Sequence, residues 1–233
     1  MALNIVTQID DPVRVRRVLI SVSNKQKLPL LIQGLLATVP DVQILSTGGN
    51  YAAILDHMGA TTAQRHLIAV SDYTGQPEMQ GGLVKTLDFR IYLGLLSETY
   101  NPAHQTDLER LGATPLDMVV VNLYPFQETV ARPEVTPESA RTHIDIGGPC
   151  MIRAAAKNYL RVASVTDPAD YERVVTELQN GDGTLGLALR LDLMRKAFCH
   201  TAAYDQAIAA YFQAVDDSAA RACYHDAGAP AGD

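Results

Sequence analysis

An aspartate, a glycine pair, a proline and a lysine lie close together in Asp145-Ile146-Gly147-Gly148-Pro149 and Lys157. A carboxylate can take a proton, and bare glycine backbone lets a ligand approach closely. Pro149 suits the first position of a helix, where its missing N–H has no partner. The free amides and the positive end of the helix dipole would then face whatever binds. Lys157, about two turns along that helix, puts an acid and a base on one rigid element. A second group, Ser46-Thr47-Gly48-Gly49, offers two hydroxyls and exposed amides to an anion such as phosphate, although turns of this composition are common. Gly81-Gly82-Leu83-Val84-Lys85-Thr86 reads as a loop delivering a lysine and a hydroxyl. Loop lysines are usually solvated, so Lys85 alone carries no assignment.

The elements that must position these groups alternate between strand and helix. Arg14 to Val22 reads as a buried strand running into Ser23-Asn24-Lys25. There Ser23 or Asn24 either caps the helix from Lys27 to about Leu36 or meets a ligand at the carboxyl edge of a sheet. Val42–Leu45 is a strand, and Asn50–Met58 a helix stopped by Gly59. Ser71 to Gly75 reads as a turn, Ile91–Leu96 as a short strand, and Glu98–Gln105 as exposed turn. Met118 to Leu123 is a continuous apolar strand fit for burial on both faces of a parallel sheet. Asn122 and Tyr124 at its carboxyl end are placed for ligand contact, with a buried Tyr124 ring as the alternative. Arg132 to Glu138 is a solvent loop. Val162–Val165 is a strand, Asp167 to about Gln179 a helix, and Leu185 to about Val215 is largely helical, with His200 and Tyr204 as packing residues. The fold class is α/β. Residues 14–180 form one domain, 184–216 a helical extension packed on it, and 1–13 and 217–233 flexible ends.

Composition narrows the function. An apolar fraction of 47% with no apolar run near the roughly 18 residues that span a bilayer excludes a membrane protein. A net charge of −7 disfavours nucleic acid as a partner. Cys150, Cys199 and Cys223 show no CxxC spacing, and the histidines show no ligand spacing, so neither a disulfide framework nor a metal is expected. The amino-terminal residues lack a basic region followed by an apolar core, which points to the cytoplasm.

The ordered set Ser21-Val22-Ser23-Asn24-Lys25, Ser46-Thr47-Gly48-Gly49, Ser71-Asp72-Tyr73-Thr74-Gly75, Val84-Lys85-Thr86-Leu87, Asn122-Leu123-Tyr124-Pro125-Phe126 and Asp145-Ile146-Gly147-Gly148-Pro149 resembles the inosine monophosphate cyclohydrolase domain of bifunctional purine biosynthesis proteins. Arg153-Ala154-Ala155-Ala156-Lys157-Asn158 and Ala197 to Asp205 extend the match over nearly the whole chain, without the transformylase domain. The resemblance implies a methylglyoxal synthase-like, Rossmann-like fold. It also implies dehydrative closure of 5-formamidoimidazole-4-carboxamide ribonucleotide to inosine monophosphate, with no cofactor.

By the same resemblance Lys157, Lys85, Tyr124 and Asp145 are the catalytic positions. Ser21, Ser23, Lys25, Ser46, Thr47, Gly48, Gly49, Thr86, Asn122, Ile146 and Gly147 are the nucleotide contacts. A homodimer and a separate formyltransferase are the partners it admits. The stretch Leu83 to Gly94 departs from the family, which carries an arginine before Val-Lys-Thr; its loss weakens phosphate or ribose contact unless Arg90 or another group compensates. A divergent paralogue acting on a related formamido-carboxamide nucleotide, or a weakly catalytic nucleotide-binding module, are the alternatives.

Overall fold

A computed structural model describes residues 5–77 and 86–225. In chain order, β1 (Val13–Arg14) and β2 (Arg17–Val22) lead to α1 (Leu28–Thr38), β3 (Gln43–Ser46), α2 (Gly48–Met58), α3 (Ala60–His66), β4 (Leu67–Ala69) and α4 (Val70–Thr74). Beyond residue 85 come α5 (Phe89–Leu96), α6 (Pro102–Leu111), β5 (Met118–Asn122), α7 (Phe126–Val130), α8 (Pro137–Thr142), α9 (Gly147–Lys157) and β6 (Ala163–Val165). A 3-10 turn at Pro168–Asp170 precedes α10 (Tyr171–Asn180), β7 (Thr184–Leu185), α11 (Leu187–Gln213) and α12 (Asp217–Arg221).

Five strands form one parallel sheet in the order β4-β3-β2-β5-β6. From β2 the chain winds outward one way through β3 and β4, then returns beside β2 as β5 and winds the other way. The reversal between β2 and β5 opens a crevice at their carboxyl ends, where such sheets place ligands. Side-chain alternation along the central strands divides the interior in two. Val18, Ile20, Ile44 and Val120 face α1, α10 and the start of α11. Leu19, Leu45, Val119 and Val121 face α5, α9 and the later turns of α11. All five residues of β5 are buried, as expected of a central parallel strand.

The α/β expectation holds, with local corrections. Arg14 to Val22 is two strands, because Val15 donates its N–H to Gly183 O outside the parallel sheet. Ile91–Leu96 is helical: the Asp88 carboxylate accepts from Arg90 N at 2.8 Å and starts α5. Within Glu98–Gln105, Asn101 caps α6 through Ala103 N and His104 N, with Pro102 in the first turn. Ser71–Thr74 belongs to α4, closed by left-handed Gly75. Neither Ser23 nor Asn24 caps α1; its first residue follows Lys27 in the left-handed conformation, and Asn24 Oδ1 accepts from Gln26 N instead. Arg132 to Glu138 is loop only as far as Thr136, which caps α8 in a reciprocal bond with Ser139.

β7 pairs with β1, and α11 gives Leu189 and Leu193 to one apolar cluster and Ala197 and Tyr204 to the other. Arg190 is 1% exposed and donates to the carbonyls of Asp10, Tyr159, Leu160 and Leu185, tying the amino-terminal segment to the end of α9. Beside it, Asp11 Oδ1 accepts from Leu187 N at 2.7 Å. Residues 217–221 form α12, whose Asp216 cap accepts from Ala219 N.

Candidate active site

The crevice is lined by the ends of β2 and β3 and the starts of α2 and α9. It holds a cavity of about 410 Å³ bordered by Ser21, Thr47, Gly49, Asn50, Thr86, Tyr124, Asp145, Ile146 and Gly147. Gly48, at φ +46°, turns the chain from β3 into α2 in a conformation that side chains rarely adopt. The amides of Gly48 and Gly49 are then among the four that a helix leaves without an internal partner. Asn50 fixes this helix start, because its side-chain oxygen accepts from Val22 N at 3.3 Å. Across the cavity, α9 begins at Gly147, two residues before the predicted start, so Pro149 sits within its first turn.

Asp145 is held at both ends. Its Oδ1 accepts from Gly148 N at 2.8 Å, and its own N–H donates to the Tyr204 hydroxyl at 2.8 Å. Burial pushes the Asp145 carboxyl above the ordinary aspartate range, opposed by hydrogen bonds from the amides of Gly148 and Tyr124. A carboxylate so placed is a better proton acceptor than one in water. A Cβ at position 148 would lie 2.6 Å from both Asp145 Oδ2 and Leu123 Cδ2, so any other residue there must push one of them aside. A Cβ on Gly147 would lie 2.9 Å from the buried Thr86 hydroxyl, so Thr86 rests directly on the first turn of α9.

Tyr124 is 59% exposed and forms the wall between this cavity and a neighbouring cleft of about 590 Å³, into which Ser23, Asn24 and His200 face. The buried-ring alternative for Tyr124 is thereby excluded.

Two predicted contacts are turned to other uses. Ser46 is wholly buried and gives its hydroxyl proton to Ile20 O at 2.9 Å, which ties β3 to β2 and leaves Thr47 as the hydroxyl of this turn that borders the cavity. Asn122 spends its amide on the loop beside it: Oδ1 accepts from Ser23 N at 2.7 Å and Asn24 N at 2.8 Å, and Nδ2 donates to Asn24 O at 3.0 Å. It shapes the Ser23 to Lys25 loop more than it presents a polar end to a ligand. Lys25 is exposed and borders neither cavity.

Lys157 is exposed in the last turn of α9, about 15 Å along the helix from Gly147 at 1.5 Å per residue. One chain does not bring it to Asp145. Arg90 donates through Nη1 to Tyr73 O at 3.0 Å. Lys85 lies outside the described residues. Asn50 and Tyr204 were missed from the sequence; Asn50 follows the Ser46 to Gly49 turn directly, whereas Tyr204 reaches the site from 59 residues beyond Asp145. Among the described residues no three His, Cys, Asp or Glu side chains gather to hold a metal ion, and no helix is long and apolar enough to cross a membrane.

A parallel sheet wound both ways from a central strand, with a polar cavity at its point of reversal, is a doubly wound α/β domain. The chain belongs to the MGS-like domain family, whose model matches residues 31–150; that of the AICARFT/IMPCHase bienzyme matches residues 155–228. The bifunctional purine biosynthesis protein PurH of Synechococcus sp. (strain CC9605) is 45% identical over 205 residues, 88% of this chain and 38% of that protein. The PurH of Magnetococcus marinus is 47% identical over 204 residues, 88% of this chain and 37% of that protein. The chain thus spans well under half the length of these relatives. The crystal structure of ForH superposes with a TM-score of 0.70 at 31% identity, over 85% of this chain and 99% of that one.

Proposed function

We propose that the chain is an inosine monophosphate cyclohydrolase, closing 5-formamidoimidazole-4-carboxamide ribonucleotide with loss of water. The observation that carries this reading is the desolvated Asp145 carboxylate facing the amide-rich start of α2 across one cavity. The phosphate sits on the Thr47 to Asn50 turn and the helix dipole of α2, with Ser21 beside it. The two arms of the heterocycle lie between Tyr124, Thr86 and Asp145.

As the carboxamide nitrogen attacks the formyl carbon, a C–N bond forms and the nitrogen gives up a proton to Asp145. That proton passes to the former formyl oxygen, which the Thr86 hydroxyl and the Gly147 amide stabilise; the formamido nitrogen then gives up its own proton as the ring C=N bond forms, the C–O bond breaks, and the oxygen leaves with both protons as water. Lys85 is assigned to the developing oxygen charge by resemblance. A formyl-transfer reaction on the carboxamide ribonucleotide precursor supplies the substrate.

An ultraviolet assay of ring closure with the purified chain tests this directly. Turnover of the purine precursor is expected, and Asp145→Asn should lower kcat by roughly 10² to 10⁴-fold as for loss of a general base. Absence of turnover by the parent chain rejects the assignment. Lys157 retains its role as proton donor or acceptor by resemblance alone. Lys157→Ala is expected to lower turnover more than it weakens product binding, and unchanged turnover removes this lysine from the mechanism.

A further inference from the structure

Tyr204 lies on the second half of α11 and is 8% exposed. Its ring packs edge-on against Phe126, with centroids 6.2 Å apart at 72°, and Phe126 packs in the same way against Tyr211 at 6.1 Å. This aromatic row fixes where the Tyr204 hydroxyl can go. The hydroxyl accepts from Asp145 N at 2.8 Å and stands 3.5 Å from His143 O, to which it donates. It therefore spans the bend at Ile144 and holds the peptide that carries the Asp145 side chain.

The carboxylate is held separately, by Gly148 N at the start of α9 and by the amide of Tyr124 at the end of β5. Two of these three supports come from elements adjoining the cavity. The third comes from a helix that otherwise builds the core.

We infer that Tyr204 is a positioning residue for Asp145: its hydroxyl sets the orientation of the Asp145 peptide and, through it, the line along which the carboxylate meets the substrate. This rests on the proposed role of Asp145 as the proton acceptor. Without the hydroxyl the ring still fills its site, but the Asp145 N–H loses its partner and the peptide is free to turn. Displacements of about 1 Å at a reacting group cost rate far more than affinity.

The test is a double-mutant cycle with Tyr204→Phe and Asp145→Asn, read as kcat and KM for ring closure. Tyr204→Phe should lower kcat by roughly tenfold or more while KM stays within about twofold, and the acid limb of its kcat profile should move to lower pH as the loosened carboxylate meets water. In the Asp145→Asn background, Tyr204→Phe should have no further effect on kcat, because there is no carboxylate left to orient. Additive losses overturn the inference in favour of general support of the fold, and so does a Tyr204→Phe enzyme with parental kcat beside a disabled Asp145→Asn enzyme. If Asp145→Asn itself leaves kcat unchanged, the role proposed for Asp145 falls and takes this inference with it.

Discussion

Replacing Gly148 by alanine places one methyl group where it must displace the Asp145 carboxylate. The added carbon would lie 2.6 Å from Asp145 Oδ2 and 2.6 Å from Leu123 Cδ2, whereas unstrained contact needs about 3.5 Å, so one neighbour must retreat by roughly 0.9 Å. Leu123 belongs to the packed core, and the carboxylate is the freer of the two. Alanine gains up to about 1 kcal/mol over glycine in helix propensity, and overpacking costs about 1–3 kcal/mol. The net is a loss of up to about 3 kcal/mol, or a fall in Tm of up to roughly 12 °C for a chain of this size.

Misplacing a reacting group by about 1 Å costs about 10²-fold in rate. Gly148→Ala should therefore lose kcat by that order when assayed well below its melting point, with KM little changed. Gly34→Ala is the matched control: its Cβ would meet the Val175 methyls at 2.5 Å between α1 and α10, remote from the cavity. It should lower Tm and leave kcat intact. Parental kcat in Gly148→Ala, measured on folded protein, would refute the placement of Asp145.

Asp145 and Arg161 give two further tests. Because burial raises the Asp145 pKa in the folded chain, its protonated form favours folding. That contribution is complete below the unfolded value near 3.9 and is lost as pH rises through the higher folded value. Asp145→Asn should thus be at least as stable as the parent at neutral pH, with any advantage shrinking in acid; a neutral-pH deficit that disappears in acid would contradict the burial argument. At the amino edge of the sheet, Arg161 donates to the carbonyls of Gly94, Ser97 and Leu116 and to Asp117 Oδ1, while Asp117 Oδ2 accepts from Arg16 N and Arg17 N. Burial shifts both members toward neutrality against their mutual attraction, so the pair stabilises little in itself yet is costly to break. Arg161→Ala should cost about 3–5 kcal/mol in chemical denaturation with kcat unchanged at low temperature; a loss below about 1 kcal/mol would show that the four acceptors find water.

Much of this arrangement was legible from local pattern. The Met118 to Asn122 strand showed itself as an unbroken apolar run, and the Gly147 to Pro149 start announced α9. The misreading of Ile91–Leu96 has a plain cause: a short apolar run has no period that separates a strand from a buried helix, and the deciding cap, Asp88, lay outside the run. Asn101-Pro102 carried a helix start that was read as exposed turn.

At the site, residue type revealed less than direction. Ser46 ends a strand with its side chain facing β2, so its hydroxyl serves the sheet, and no composition of the turn could show that. Asp145 stands two residues before α9 and Lys157 is its last residue, so ten positions of helix lie between the start beside Asp145 and the lysine. Tyr204 was read as packing, which its ring is; the bond from Asp145 N depends on how α11 crosses α9, and that is tertiary.

The length of α11 has a consequence for how this protein comes apart. Its first turns carry Arg190, which gathers four carbonyls from three segments, and its later turns carry Tyr204 beneath the Ile144 bend. Fraying from the carboxyl end inward would release Asp145 before it released the fold. A ligand that needs Asp145 in place should then slow amide exchange in the turns around Tyr204, some 60 residues along the chain, while leaving the turns around Arg190 at their ligand-free rates.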